Sequence, residues 1–393
     1  MGAHKFSQAG YALILGAALA LPQTAFAFES TNNPVADVFL TSLEAGDAKN
    51  VAVENVAVSG NQIVLNNLTV DYESDGDTGN VTIGNLAFSD ATVATDGSIS
   101  AAALALTDAN LVDDEDTIEF AAAVVTDVRI PSPAEIENPS KALNVKPAYK
   151  SLEITGITLK AEDEVDVPIE RISSTFETMG TDGSAKASFA IEKFTLDPAG
   201  VDDEDFGKTL ADLGYDALQL DVKAKGEWSA ADGRLNLEDF QISGQDMGAL
   251  HLSATILGVT PDFIGKLDTA QENFGKLMEL LQSLSISDIR IHFKNDTVVE
   301  RVLDCQAKEV GTDRAGLVDQ LSSSLPGILS LLGNPGFQEK VAKAATTFLK
   351  EPGTLTASTH PAQPVPVAQV VGTAMIAPQT IPDVLSVEVT ANQ

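Results

Sequence analysis

The sequence predicts a mainly β protein of the α+β class: a curved, bulged antiparallel sheet meander with a helical C-terminal part. Two observations carry this. From about Val51 to Phe293, apolar and polar residues alternate with period two in short runs separated by turn residues, as half-buried antiparallel strands require. After Gly258 the apolar residues step by three and four instead, which is the period of a helix.

Residues 1–27 read as an export signal. Lys5 supplies the positive charge, "YALILGAALAL" is a short apolar core, and Ala25-Phe26-Ala27 is an A-x-A cleavage site. The apolar run is too short to span a bilayer. The expectation is a periplasmic protein beginning at Phe28, soluble and not transmembrane after cleavage. Residues 28–145 then form an N-terminal β-repeat region and 146–258 a β-meander. Residues 259–393 form a helix-rich region with returning strands and an uncharged, proline-rich tail.

In the meander, "LQLDVKAKGEW" puts Leu218, Leu220 and Val222 on one face and Gln219, Asp221 and Lys223 on the other. The turn "SAADG", the strand "RLNLEDFQIS", the turn "GQDMG" and the strand "ALHLSATIL" follow. A finer motif, apolar-x-Asn/Asp/Gly-apolar-x-apolar, recurs as "VENVAV", "LNNLTV", "IGNLAF", "VTDVRI", "ITGITL", "LEDFQI" and "ISDIRI" between Val53 and Ile291. Its apolar positions fall at i, i+3 and i+5, whereas a plain strand needs i, i+2 and i+4. The parity therefore changes once inside each copy. A β-bulge at the small polar residue has this effect, because Asn, Asp and Gly tolerate unusual backbone angles. Repeated bulges bend a sheet. The spacing between copies is irregular, which argues against a fixed-length solenoid.

"TPDFIGKLDTAQENFGKLMELLQSL" predicts one helix with Thr260 as N-cap, Pro261 in its first turn and an apolar stripe from Phe263 to Leu281. The strand "LSISDIRIHF" follows, then helices over "TDRAGLVDQLSSSL" and "NPGFQEKVAKAATTFL", the second capped by Asn334 and ended by "EPG". Pro352 to Pro382 carries no Asp, Glu, Lys or Arg and six prolines, which suits a docked run of extended turns and short helices. "LSVEVTA" predicts a closing strand.

Composition narrows function. A net charge of −33 repels nucleic acid and anionic lipid headgroups, favours solubility and could gather divalent cations. Cys305 is the only cysteine, so no intramolecular disulfide is available and stability must come from a core. Beyond the leader, His251, His292 and His360 lie far apart, and none begins an H-E-x-x-H motif. No G-x-S-x-G elbow occurs. Acidic pairs abound, but nothing singles one out, and one Trp and four Tyr are few for a sugar cleft. A non-enzymatic protein without a cofactor is expected.

Calcium is the one metal with a candidate site. "DYESDGDTGN" sets Asp71, Glu73, Asp75 and Asp77 around Gly76, the opening of an EF-hand loop. Position twelve is Thr82, so the bidentate glutamate is missing, and strand-like segments flank the loop in place of helices. Acids and glycine also suit a solvated hairpin turn, and that is the expectation here.

The repeated motif from Val53 to Ile291, the export signal and the lack of catalytic motifs resemble the periplasmic β-repeat proteins of the AsmA-like group. The chain departs from that group's plan in its helical C-terminal part and in lacking an N-terminal membrane anchor. The resemblance implies a curved sheet with an apolar groove for lipid acyl chains. The expected function is thus an exported envelope protein that binds lipid or another hydrophobe. The alternative is an acidic structural or interaction protein of the periplasm, with envelope proteins as partners and no small ligand. A groove requires apolar residues that stay exposed, whereas a scaffold buries them.

Overall fold

The computed structural model describes residues 28–46, 48–74, 77–113, 116–136, 149–161, 165–179, 181–198, 204–271 and 273–393. The expected leader lies outside them. Sixteen strands form an antiparallel sheet. The first half is β1 (Ala48–Ser59), β2 (Gln62–Ser74), β3 (Asp77–Ser89), β4 (Thr92–Val93), β5 (Ile99–Asp113), β6 (Asp116–Ile130), β7 (Ser151–Lys160) and β8 (Val167–Met179). The second half is β9 (Ser184–Leu196), β10 (Leu218–Ser229), β11 (Arg234–Gly244), β12 (Gly248–Leu257), β13 (Ser285–Asn295), β14 (Thr354–Thr359), β15 (Val365–Pro366) and β16 (Val387–Ala391). Neighbours follow chain order from β1 to β16, except that β4 pairs only with β5 and β15 only with β13. The sheet is a meander and is not closed. The chain divides into two compact units. The first runs to Phe176 and takes back Ile191–Phe194; the second holds Glu177–Ala190 and Thr195–Gln393.

Ten α-helices accompany the strands among the described residues. They are α1 (Pro34–Glu44), α2 (Pro133–Ile136), α3 (Glu204–Asp212), α4 (Pro261–Gln271), α5 (Phe274–Gln282), α6 (Val298–Glu309), α7 (Arg314–Leu329), α8 (Pro335–Lys350), α9 (Val367–Ile376) and α10 (Ile381–Val384). Seven of the ten follow Gly258, as the change of period predicts, while α3 falls inside the region read as meander.

The first unit closes its core. Asn33 caps α1 by accepting the Val35 and Ala36 N–H groups at 3.0 and 3.1 Å, and Pro34 opens the helix. Its apolar side then packs onto the sheet, with Phe39 edge-on to Phe88 at 5.3 Å. Leu40, Leu65, Leu68, Leu86, Phe88, Ile99 and Val125 are completely buried there.

The parity change takes two forms. In the first unit Asn67, Asp108, Asp127, Gly156 and Lys193 adopt left-handed angles, with φ between 48° and 64°. The register nevertheless does not shift. Val53 pairs with Leu68 and Asn55 with Asn66, while Leu68 pairs with Ile83 and Asn66 with Asn85. Around Asn67, Asp108 and Gly156 neighbouring strands take the extra step in the same row, so facing strands stay matched, while Asp127 lies in a separate row opposite Ala102. Continuing the register sets Glu54 opposite Asn67, Gly84 opposite Asp108 and Ala121 opposite Gly156. The bulge expected for these copies is therefore replaced by a shared kink row. In the second unit "LEDFQI" and "ISDIRI" are true bulges. The register shifts between Leu237 and Phe240 against β12, and between Thr255 and Ile256 against β13.

A Cβ at Gly156, where φ is +64°, would lie 2.9 Å from the Ala121 Cβ. Gly60, at φ +63°, has nothing within 4 Å. Gly60→Ala should lose about 1 kcal/mol from the left-handed backbone alone, and Gly156→Ala about 2 kcal/mol or more. Urea titration of the two variants checks the difference.

The helix expected over Thr260–Leu281 is two helices. Asn273 accepts the Lys276 N–H at 3.1 Å and starts α5 afresh. Thr260 does receive the Phe263 N–H, at 3.2 Å, and Asn334 the Phe337 N–H, at 3.0 Å. Helix α6 has no sequence announcement, since Thr297 makes no side-chain cap and only Leu303 and Ala307 are fully buried. It joins α7 and α8 in a small satellite core around Leu317 and Val318.

Candidate functional site

Asp71 sits on β2 between neighbours that use both its oxygens. Asn50 on β1 donates to Oδ2 at 3.0 Å, and Asn80 on β3 donates to Oδ1 at 2.6 Å. These two amides, Asn50's first, hold its carboxyl below the usual range. Glu73 lies 3.7 Å from the Lys49 ammonium. Asp75 falls outside the described residues, and Asp77 begins β3. Asp71 thus serves as a cross-strand acceptor between Asn50 and Asn80.

In the second unit one polar row crosses four strands: Gln241, His251, His292 and Thr356 are successive partners. His251 Nδ1 lies 3.0 Å from Asp239 Oδ1, and His292 Nδ1 lies 2.8 Å from the Thr356 hydroxyl. The two rings are 6.0 Å apart. Burial first, then the charges of Arg290 and His251, push the His292 pKa down. Its folded pKa thus lies below the unfolded value of about 6.5. The unfolded chain binds the proton more readily, so this contribution is present above pH ~6.5 and is lost as pH falls below it. His292→Gln should flatten the decline in melting temperature between pH 7 and pH 5; thermal scans across that range check it.

The opposite face of the same strands is apolar throughout. On β11 it presents Leu235, Leu237, Phe240 and Ile242; on β12, Leu250, Leu252, Ala254 and Ile256; on β13, Ile286, Ile289, Ile291 and Phe293. The two bulges produce this. Without them Leu237 and Ile286 would face the other way from Phe240 and Ile289, because strand side chains alternate. All twelve positions are apolar, and none is fully buried. Leu250 is 41% exposed and Ile291 45% exposed, and Leu235 and Ile242 are also more than a third exposed. From a helix, Phe348 of α8 stands edge-on to Phe293 at 6.0 Å.

At about 3.3 Å per residue the face runs roughly 20 Å along the strands. It offers no charged group and no side-chain hydrogen-bonding group. Such a surface holds a ligand by desolvation and dispersion alone. The sequence identifies these residues as strand residues but gives no sign that this face stays open. That depends on where α6 to α8 dock: α6 and α7 pack on one another, and α8 packs on α7 and on β14 and β16.

A family model described as "Uncharacterized protein" matches residues 241–392. The match takes in β12, β13 and the helices and strands that follow. No curated protein matches the chain.

Proposed function

We propose that this is an exported, non-enzymatic envelope protein that binds a lipid or similar hydrophobe on the open apolar face of β11 to β13. One observation supports the reading above the others. Two units built from the same kind of strand treat their apolar faces differently. The first buries Leu65, Leu68, Leu86 and Phe88, while the second leaves Leu235, Ile242, Leu250 and Ile291 substantially exposed. An exposed contiguous apolar face of this extent marks an interaction site. The absence of charge on it favours an alkyl chain over a headgroup. An acyl chain gains about 0.8 kcal/mol per buried methylene, against an association cost of at least about 4 kcal/mol. Roughly fifteen fully covered methylenes would then reach the micromolar range.

Titration of the purified protein with a fluorescent fatty acid tests the reading. Saturable enhancement, displaced by unlabelled fatty acid, is expected. Absence of saturable binding would overturn it.

A further inference from the structure

A second apolar surface lies on different residues and carries its own inference. In the C-terminal part of this acidic chain, residues 320–338 and 352–382 hold no Asp, Glu, Lys or Arg. The fold brings them together. Asn334 donates through Nδ2 to the Gln379 carbonyl at 3.0 Å and to the Asp383 carboxylate at 2.9 Å. A Cβ on Gly333 would lie 3.3 Å from the Gln379 Cβ. Just before Gly333, the end of α7 and the short 3-10 turn Ser330–Leu332 present Ile328, Leu331 and Leu332 to solvent. Just before Gln379, the end of α9 presents Met375 and Ile376. Leu331 is 88% exposed, Met375 82% and Ile376 87%, so these side chains project from the surface.

We infer that this paired tip docks the protein on a lipid bilayer by inserting Leu331, Met375 and Ile376 into the interface. Three observations select a bilayer over a protein. Five side chains are too few for a stable protein interface, which needs about 20–30 residues on each side. A second copy of the chain would bring another net charge of −33 against the first. The tip also has no Arg, Tyr or Trp of the kind that anchors protein interfaces. Aliphatic side chains at the ends of helices, tied together and free of charge, suit shallow insertion into the acyl boundary. Among the described residues no helix is long and apolar enough to cross a membrane, so the contact is interfacial. It depends on desolvation and not on attraction to anionic headgroups. It should therefore persist at high salt and weaken as anionic lipid is added.

The test is flotation of the protein with phosphatidylcholine vesicles. The wild type should float, at 0.1 M and at 1 M salt alike. Leu331→Ser, Met375→Ser and Ile376→Ser should each lower the partition coefficient roughly tenfold, and the triple variant should stay in the dense fraction. Val58→Ser, at an exposed position of the first unit, should float like the wild type. Matching melting temperatures ensure that the triple variant is folded. Because fatty-acid binding uses β11 to β13, the triple variant should keep it, which separates this inference from the preceding proposal. A wild type that fails to float would overturn the inference, as would a triple variant that floats equally well. A concentration-dependent dimer abolished by the same substitutions, without flotation, would also overturn it and assign the tip to a second copy.

Discussion

Replacing Leu250 and Ile291 together by aspartate is expected to abolish hydrophobe binding while leaving the protein folded. Both residues are more than 40% exposed, so the substitutions put charge where water already reaches and the fold tolerates them. A ligand lying on the face would bury those charges without a partner. That costs several kcal/mol, and a loss of about 3 kcal/mol alone weakens binding more than a hundredfold. Leu250→Ala offers a graded comparison. It removes only part of one contact and should weaken binding by a few-fold to about tenfold. Fluorescence titration measures both effects, and circular dichroism verifies the fold.

The largest expected loss of stability lies in the other unit. Phe88→Ala removes a completely buried ring that meets Phe39 edge-on, beneath α1. A cavity of that size in a closed core costs about 3–5 kcal/mol. Leu250→Ala, on the open face, should cost about 1 kcal/mol or less, because its side chain is already half solvated. Denaturant titration of the two variants therefore reads the same contrast as the binding argument: one apolar face is a core and the other is a surface. Equal losses at the two sites would mean that the face of β11 to β13 is covered in solution.

The strands were the most legible part of the sequence, because period-two alternation is a direct consequence of strand geometry. The i, i+3, i+5 spacing correctly locates the change of parity. It does not distinguish a bulge at Asp239 from a left-handed residue at Asn67, since both satisfy the same local pattern and only the neighbouring strand decides between them. The same spacing also occurs at "LTDANL" and "IEKFTL", where Asp108 and Lys193 are left-handed; Lys193 falls outside an Asn/Asp/Gly rule altogether. Asn273 hides a helix start inside a continuous apolar stripe. The twelve apolar positions of the open face are readable one strand at a time. Their exposure is not, because it depends on which strands the later helices cover, and α8 packs on β14 and β16.

Native mass spectrometry of the full-length protein, purified gently from the cells that make it, tests the central claim most directly. The account predicts an additional mass of lipid size that is lost on delipidation and missing from the Leu250→Asp/Ile291→Asp protein. A bare polypeptide mass in repeated gentle preparations, identical for wild type and variant, would contradict it.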